Sequence, residues 1–188
     1  MNIKANFFES LYQNNPDPWH FASSTYELNR YKRICEIVHH QKPSYVFEAG
    51  CSIGILTEQL AHLAEFVEAI DISSTATLAA QIRCCGLKNV RIQWGSLGNY
   101  SIPSKADLII LSEIGYYFSR EEWRNIIKNI ATTCTPPFYL LASHWLGTSE
   151  DHILSGDEVH SIIHSLGIFE LKHSERNKDF RLDYWVKK

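Results

Sequence analysis

Apolar and polar residues follow two different spacings along this chain, one typical of buried strands and one typical of amphipathic helices. Short apolar runs predict five strands, at 44–48, 66–72, 89–94, 106–112 and 138–144. Around them, apolar residues recur at helical spacing and predict helices over 24–40, 54–64, 74–85, 120–133 and 155–166. Ser24 is positioned to cap the first of these helices, and Gly86 and Gly167 are positioned to end the third and the last.

The last 20 residues follow a different pattern. Two strand-like segments, FELKHS (169–174) and FRLDYWVK (180–187), are separated by only a short polar turn, which predicts an antiparallel hairpin. Strand–helix alternation followed by a hairpin predicts an α/β fold, with a mostly parallel sheet that has helices on both faces. The 188 residues, 45% of them hydrophobic, are enough for one domain with a substantial core.

Charge and composition limit the kinds of binding partner that we expect for this protein. The net charge is −3 and no run of basic residues occurs, so we expect neither a nucleic-acid nor a membrane partner. The N-terminal segment lacks the apolar core of a signal peptide, and the five cysteines form no C-x-x-C pair. We therefore expect a cytoplasmic protein with free thiols. No heptad pattern stands out, which favours a monomer, and no Cys/His cluster has the spacing of a metal site.

In a parallel sheet, ligands bind at the carboxyl ends of the strands, so the residues that follow each predicted strand are the candidates for function. The first strand runs into AGCSIGI (49–55), which contains the pattern G-x-S-x-G. One interpretation is the nucleophile elbow of an α/β-hydrolase, with Ser52 as the nucleophile. However, only one predicted strand precedes Ser52, and no oxyanion loop of the His-Gly-Gly-Gly type stands ahead of it.

The other interpretation of the same loop is a cofactor pocket. Gly50 and Gly54 permit a tight turn close to a ligand, and the helix that follows offers free N–H groups. Asp71 ends the second strand, where a carboxylate can accept hydrogen bonds from both hydroxyls of a ribose. Glu48 stands ahead of the glycines, and an acid there suits an amino group or a cation better than a diphosphate.

Five segments of the chain together resemble one family. They are DPWHFASSTYE (17–27), EAGCSIGILTEQLA (48–61), LSEIGYY (111–117), HW (144–145) and GDEVH (156–160). This set resembles the NodS nodulation N-methyltransferases, which use S-adenosylmethionine, over residues 7–186. The resemblance implies a Rossmann-like three-layer sandwich with a seven-stranded, mostly parallel sheet that ends in an antiparallel hairpin. It also implies one domain over residues 1–188, in which residues 1–27 cover the cofactor or the substrate.

The resemblance implies S-adenosylmethionine as the cofactor and S-adenosylhomocysteine as the product. It places the methionine part at the glycine loop, the ribose at Asp71 and the adenine beside the second and third strands. The implied cofactor-binding residues are Glu48, Gly50, Ser52, Gly54, Asp71, Ile72, Ser96, Leu97 and Ser112. Many methyltransferases carry an acid at the adenine edge, where this chain has Gly95-Ser96-Leu97. For Ser52, contact with the cofactor and capping of the following helix are both open.

The reaction that the resemblance implies is N-methylation of a free amine on a glucosamine-type sugar or chitooligosaccharide. The amine must attack the methyl carbon in line with the departing sulfur, so catalysis depends mainly on alignment and desolvation. Glu113 and His144 are the implied catalytic residues, which orient the amine and take its proton. The implied substrate-binding residues are Trp19, Tyr26, Tyr116, Tyr117 and His160.

Each of these roles competes with a structural one. Glu113 equally suits a helix cap or a solvated position, the two histidines suit a structural role, and the aromatic side chains suit core packing. The function has alternatives as well. They are methylation of another small-molecule amine or hydroxyl, and binding of S-adenosylmethionine without turnover.

Overall fold

A computed structural model describes residues 3–188 of the chain. The helices are α1 (Ile3–Asn14), α2 (Thr25–Gln41), α3 (Ile55–Ala61), α4 (Ser74–Arg83), α5 (Arg120–Thr133) and α6 (Gly156–Ser165), with a short 3₁₀ turn at Gly115–Tyr117. The strands are β1 (Tyr45–Ala49), β2 (Phe66–Asp71), β3 (Val90–Trp94), β4 (Leu108–Ser112), β5 (Phe138–Trp145), β6 (Glu170–Arg176) and β7 (Phe180–Lys187).

The strands form one sheet in the order β3-β2-β1-β4-β5-β7-β6. Strand β2 pairs in parallel with β1 and with β3, and β4 pairs in parallel with β5. Strand β7 pairs antiparallel with β5 and with β6. The predicted α/β fold, with a mostly parallel seven-stranded sheet and an antiparallel hairpin at its end, is therefore confirmed.

Internal contacts divide the chain into two compact units, one that ends at Tyr100 and one that spans Ser101–Lys188. The assignment of residues 1–188 to a single domain remains a prediction. In the N-terminal segment predicted to cover the cofactor or substrate, residues 1 and 2 lie outside the described residues.

The first unit is built around β1, which is buried along its whole length, as expected for a strand covered on both faces. A small apolar cluster joins the β1–α3 loop, β2, α4 and β3; its members are Cys51, Ala69, Ala80, Cys84 and Ile92. Gly54 allows this close packing. A Cβ atom there would lie 3.0 Å from Ala80, and the φ of Gly54 is +81°, so this position requires glycine.

The second unit has buried β4 residues and three large fully buried aromatic side chains, Trp123, Phe138 and Trp185. Helices α5 and α6 each begin with a capping box, in which the side chain of the N-cap serine and that of a glutamate three residues later each accept a backbone N–H. These caps fix where both helices begin, and α6 carries one of the predicted site residues, His160.

Some elements differ from the sequence-based predictions. Helix α1 was not predicted. On α2, Leu28 is 42% exposed, whereas Glu27 and Arg30 are buried and hydrogen-bonded to each other. Helix α4 ends at Arg83, before Gly86, so the predicted cap at Gly86 is wrong. Gly167 follows α6 with a φ of +65°, as a C-terminal glycine should.

Three further observations concern residues 3–188 alone. No helix there has the length and apolar character needed to cross a bilayer. All five cysteines are free thiols. No group of three or more His, Cys, Asp or Glu side chains is arranged to hold a metal ion.

Candidate active site

In the first unit, the loop from β1 to α3, residues 50–54, forms a strained turn that we call the glycine loop. Gly50, Ser52 and Gly54 all have positive φ angles, of 77°, 50° and 81°. A positive φ is costly for serine. The N–H groups of Gly50 and Cys51 both donate to the carbonyl of Ile70, at 2.8 and 2.9 Å. The loop is thereby anchored to β2, beside Asp71.

Two buried carboxylates flank the glycine loop. Glu48 is 2% exposed, accepts a hydrogen bond from Thr57 at 2.6 Å, and has a pKa that burial raises to about 7. Asp71 accepts the backbone N–H groups of Ser52 and Ser73 at 2.8 and 2.9 Å, and burial raises its pKa to about 6. Neither acid makes an ion pair with a side chain of residues 3–188.

Carboxylates buried without a cation are costly unless a ligand compensates them. An amino group beside Glu48 and a pair of hydroxyls beside Asp71 would do so. These are the groups that an S-adenosylmethionine molecule would bring to this loop, so the residues present fit that cofactor.

Ser52 is held by helix α1. Tyr12, which is buried, donates its hydroxyl to Oγ of Ser52 at 2.5 Å. Helix α3 has Gly54 as its N-cap, without a side-chain hydrogen bond, so the interpretation of Ser52 as a helix cap is wrong. Ser52 also makes no hydrogen bond to a histidine of the described chain, which disfavours the hydrolase interpretation. Its contact with the cofactor stays a prediction.

Helix α1 contacts a second part of the same region. The carboxylate of Glu9 accepts hydrogen bonds from the hydroxyls of Ser73, Ser74 and Thr75, at 2.7, 3.1 and 2.6 Å. Burial raises the pKa of Glu9, but these hydrogen bonds outweigh burial and lower it to about 2. A negative side chain at the start of α4 also interacts favourably with the helix dipole. The sequence analysis missed Glu9.

Several aromatic side chains of the N-terminal segment pack against one another. The Trp19 ring lies 5.7 Å from Tyr12 and 5.6 Å from Phe21, measured between ring centroids. Trp19 and Tyr26 are both half-buried. The packing of Trp19 agrees with an anchoring role for this residue, and a substrate contact of either side chain stays a prediction.

The residues predicted to line the adenine lie after β2 and β3. Ile72 is half-buried, and its carbonyl accepts the indole N–H of Trp94 at 2.9 Å. Leu97 is buried and Ser96 is half-buried. The carbonyl of Ser96 accepts the N–H groups of Asn99 and Tyr100, and the contact of these residues with adenine stays a prediction.

In the second unit, Glu113 directly follows Ser112, the last residue of β4. Its φ is +58°, an unfavourable value for glutamate. Its carboxylate accepts the backbone N–H of Trp145 at 2.8 Å and the hydroxyl of Tyr116 at 2.5 Å. These contacts, rather than a helix N-terminus, hold the acid, so the interpretation of Glu113 as a helix cap is wrong. A strained backbone that presents an oriented, half-buried carboxylate is typical of a functional site.

The 3₁₀ turn Gly115–Tyr117, which we call the site turn, carries both predicted tyrosines. Tyr116 is 3% exposed, and its ring stacks on His152, with 3.7 Å between centroids. Tyr117 is half-buried, and burial raises the pKa of its phenol. The burial of Tyr116 favours core packing for that ring, while Tyr117 keeps the more accessible position.

His152 is a candidate site residue that the sequence analysis missed. It lies between β5 and α6, edge-on to Tyr117 and Trp145. Its Nδ1 is buried and has no hydrogen-bond partner in the described chain, and burial lowers its pKa. No motif or periodicity marks this position; only its closeness in sequence to His144-Trp145 could have indicated it.

His144 and His160 are fully buried and adjacent. Nε2 of His144 accepts the N–H of Gly115 at 3.0 Å, and its Nδ1 lies 3.1 Å from Nε2 of His160. Nδ1 of His160 lies 2.8 Å from the carboxylate of Asp183. This arrangement favours structural roles for both histidines over direct contact with a substrate.

The chain is similar in sequence to nodulation proteins. The family described as nodulation protein S (NodS) matches residues 9–153. Nodulation protein S of Bradyrhizobium diazoefficiens is 25% identical over 139 residues, which are 73% of this chain and 65% of the relative. That of Azorhizobium caulinodans is 30% identical over 118 residues, which are 61% and 56%. The chain thus spans between about half and two thirds of the length of these two relatives.

Two solved structures are similar in fold. The N-methyltransferase NodS from Bradyrhizobium japonicum WM9, in complex with S-adenosylhomocysteine, matches with a TM-score of 0.84 at 19% identity, over 99% of both chains. Magnesium protoporphyrin IX methyltransferase from Synechocystis PCC 6803, also with S-adenosylhomocysteine, matches with a TM-score of 0.77 at 15% identity, over 99% of both chains. At these identities, the similarity concerns the fold.

Proposed function

Because this chain belongs to the nodulation protein S (NodS) family, we propose that it is an S-adenosylmethionine-dependent methyltransferase. More specifically, we propose that it N-methylates a free amine of a glucosamine-type sugar or chitooligosaccharide. The observation that carries the proposal is the pair of buried carboxylates, Glu48 and Asp71, which flank a positive-φ glycine loop and lack a cationic partner in the described chain.

In this proposal, Glu48 binds the amino group of the cofactor and Asp71 its ribose hydroxyls. Gly50, Ser52 and Gly54 supply the backbone of the loop around its methionine part. The adenine is bound by Ile72, Ser96 and Leu97, and Ser112 contributes from the end of β4. When bound, S-adenosylmethionine supplies a methyl group activated by its sulfonium charge.

Glu113 orients the acceptor in this proposal. Its two carboxylate oxygens accept hydrogen bonds from the Trp145 N–H and the Tyr116 hydroxyl, which orient the carboxylate as an acceptor for an amine N–H. The same oxygens hold the proton that the amine loses. Trp19, Tyr26, Tyr117 and His152 offer aromatic faces to the apolar side of a sugar ring. The protein is proposed to work as a monomer in the cytoplasm, without nucleic acid or membrane partners.

The test uses methyl-labelled S-adenosylmethionine and two matched chitooligosaccharides, one with a free amine at its non-reducing end and one fully N-acetylated. We expect label only in the first. Label in neither, together with stabilisation by S-adenosylhomocysteine, would retain the cofactor but reject the sugar, and other amines and hydroxyls would then be assayed. No label and no binding of S-adenosylhomocysteine would reject the methyltransferase itself.

Glu113→Gln tests the role of the carboxylate. We expect methyl transfer to slow by roughly tenfold to a hundredfold, because the oriented proton acceptor is lost, with unchanged affinity for S-adenosylhomocysteine. Glu121→Gln, which alters an exposed acid in the first turn of α5, is the control and should leave the rate unchanged. Equal rates for the two variants would remove Glu113 from the catalytic machinery.

A further inference from the structure

We propose that Asp183, His160 and His144 act as positioning residues and form a directional hydrogen-bond relay that holds the site turn. All three side chains are fully buried. They belong to three different elements, β7, α6 and β5, so no single stretch of sequence contains the relay. Its effect on catalysis rests on the proposed function, whereas its existence can be tested without any assay of activity.

The direction of the relay follows from its last contact. The N–H of Gly115 can only donate, so Nε2 of His144 must be the acceptor and carries no proton. The proton of a neutral His144 is then on Nδ1 and is donated to Nε2 of His160. That leaves the proton of His160 on Nδ1, where Asp183 accepts it. Every donor therefore has one acceptor only if both histidines are neutral.

Asp183 determines the direction of the relay, although three hydrogen bonds separate it from the site turn. It also accepts hydrogen bonds from Arg181 at 2.8 Å and Ser174 at 2.5 Å. Burial raises the pKa of Asp183, but the hydrogen bond from His160 opposes burial most strongly and the net pKa is lowered. Burial lowers the pKa of His160. An ionised acid beside a neutral histidine fixes the proton on Nδ1 of that ring.

Reversal of the relay would affect the site turn directly. If His160 carried its proton on Nε2, His144 would have to carry its own on Nε2 and would face the Gly115 N–H donor to donor. A buried amide without an acceptor is unfavourable. The turn has little room to adjust, because a Cβ atom on Gly115 would lie 3.0 Å from Nε2 of His144 and 2.4 Å from Val159.

The site turn also holds Glu113, the proposed catalytic acid. The Tyr116 hydroxyl donates to Glu113, and the Trp145 N–H, adjacent in sequence to His144, donates to its other oxygen. The His144 ring is also packed edge-on against Tyr116 and Trp123, with centroid distances of 5.4 and 6.3 Å. A small shift of the turn would therefore move the Glu113 carboxylate, and misplacement by about 1 Å can slow a reaction roughly a hundredfold.

The direct test is long-range ¹H–¹⁵N NMR of the full chain labelled at histidine, at pH 7, with His144→Gln and His160→Gln used for assignment. We expect both rings to be neutral and protonated on Nδ1, with Nε2 unprotonated. A His144 ring that is charged, or protonated on Nε2, would overturn the proposal. This result is independent of any methyl acceptor.

The functional test compares two variants of His160. In His160→Gln the amide oxygen can replace Nε2 as acceptor for His144, whereas His160→Leu removes the acceptor. We expect His160→Leu to slow methyl transfer about tenfold or more at a temperature where it is folded, with the affinity for S-adenosylhomocysteine changed less than about twofold. His160→Gln should recover most of the rate.

His164→Leu, which removes an exposed histidine from the same helix, is the matched control. If His160→Leu and His164→Leu turn over equally fast, the relay is structural only and the positioning role is wrong. If the wild-type protein methylates no acceptor at all, the proposed function fails, and the NMR result alone then decides whether the relay exists.

Discussion

At the scale of one residue, the buried side chain of Glu48 is suited to a ligand but lowers the stability of the unliganded fold. Its carboxyl group is buried, and its pKa is about 7 instead of the ordinary 4.5. The folded protein therefore binds a proton here more tightly than the unfolded chain, so folding stability falls as the pH rises from 4.5 to about 7. At about 1.4 kcal/mol per pH unit, the loss is roughly 3 kcal/mol above pH 7.

We predict that Glu48→Gln removes this loss. Glutamine keeps the shape of the side chain and can still bond Thr57, but it has no charge to desolvate. The variant should be more stable than wild type at pH 8, by roughly 3 kcal/mol, and equally stable at pH 4.5, measured by urea unfolding. A variant that is less stable at pH 8 would contradict the prediction. Binding of S-adenosylhomocysteine should weaken at the same time.

Sequence reasoning selects some candidate site residues and misses others for a physical reason. Glu48, Asp71 and Glu113 are recognisable because strand ends converge at one edge of a parallel sheet. His152 and Asp183 belong to segments without a motif, and their partners lie far away in the chain. The contact between Asp183 and His160, 23 residues apart, depends on how β7 packs against α6. Periodicity carries no information about such a contact.

At the scale of elements, two polar side chains of α1 attach this helix to the glycine loop and to the start of α4. Glu9 accepts three hydroxyl groups at the start of α4, and Tyr12 donates to Ser52. Because the pKa of Glu9 is lowered to about 2, its contribution to stability is present above pH 4.5 and is lost as the pH falls from 4.5 towards 2.

We predict that Glu9→Gln loosens α1 without unfolding the rest of the unit. The neutral amide is a weaker acceptor for three hydroxyl groups and loses its interaction with the α4 dipole. At pH 7, amide hydrogen exchange of α1 should accelerate several-fold, whereas exchange of β1 and β2 should not change. The same comparison at pH 2.5 should show a smaller difference between the two proteins.

Ser10→Ala is the control, because Ser10 is exposed on the same helix. It should leave the exchange of α1 at the wild-type rate. Equal exchange of α1 in Glu9→Gln and Ser10→Ala would mean that the contact with α4 does not determine the stability of α1.

The elements differ in how well their patterns predict them. Helix α5 has the predicted bounds, since its apolar face repeats regularly and Ser119 begins a capping box. Helix α1 was missed because the apolar residues of its sequence, IKANFFESLYQN, form only a short stripe. On α2, the buried pair of Glu27 and Arg30 contradicts a simple apolar face, because each charge satisfies the other.

At the scale of the whole molecule, alternation of strands and helices predicts the class of fold but not the order of the strands. In the sheet order β3-β2-β1-β4-β5-β7-β6, chain neighbours β3 and β4 are not adjacent. Nothing local distinguishes that arrangement from a simple sequential one. The resemblance of several distant motifs to one family implied a mostly parallel seven-stranded sheet that ends in a hairpin, and it left the order of the strands open.

The last prediction links folding, protonation and the proposed cofactor. In the unliganded protein at pH 6, Glu48 is mostly protonated, because its pKa is about 7. A cationic amino group beside it would favour the carboxylate, so Glu48 should release close to one proton on binding at this pH, beside the smaller share released by Asp71, whose pKa is about 6. Below pH 7, the deprotonation of Glu48 opposes binding. The dissociation constant of S-adenosylhomocysteine should therefore rise about tenfold from pH 8 to pH 6.

Isothermal titration calorimetry in two buffers of different ionisation enthalpy measures both the number of protons released and the dissociation constant. The part of the proton release that Glu48→Gln abolishes should approach one proton at pH 6 and zero at pH 8.5. At a ligand concentration of 100 times the dissociation constant, unfolding should cost about 2.7 kcal/mol more than without ligand, or an increase in Tm of roughly 5–10 °C. Tight binding with no proton release at pH 6 would show that the amino group lies elsewhere than at Glu48, because a buried carboxyl cannot stay protonated beside a bound cation.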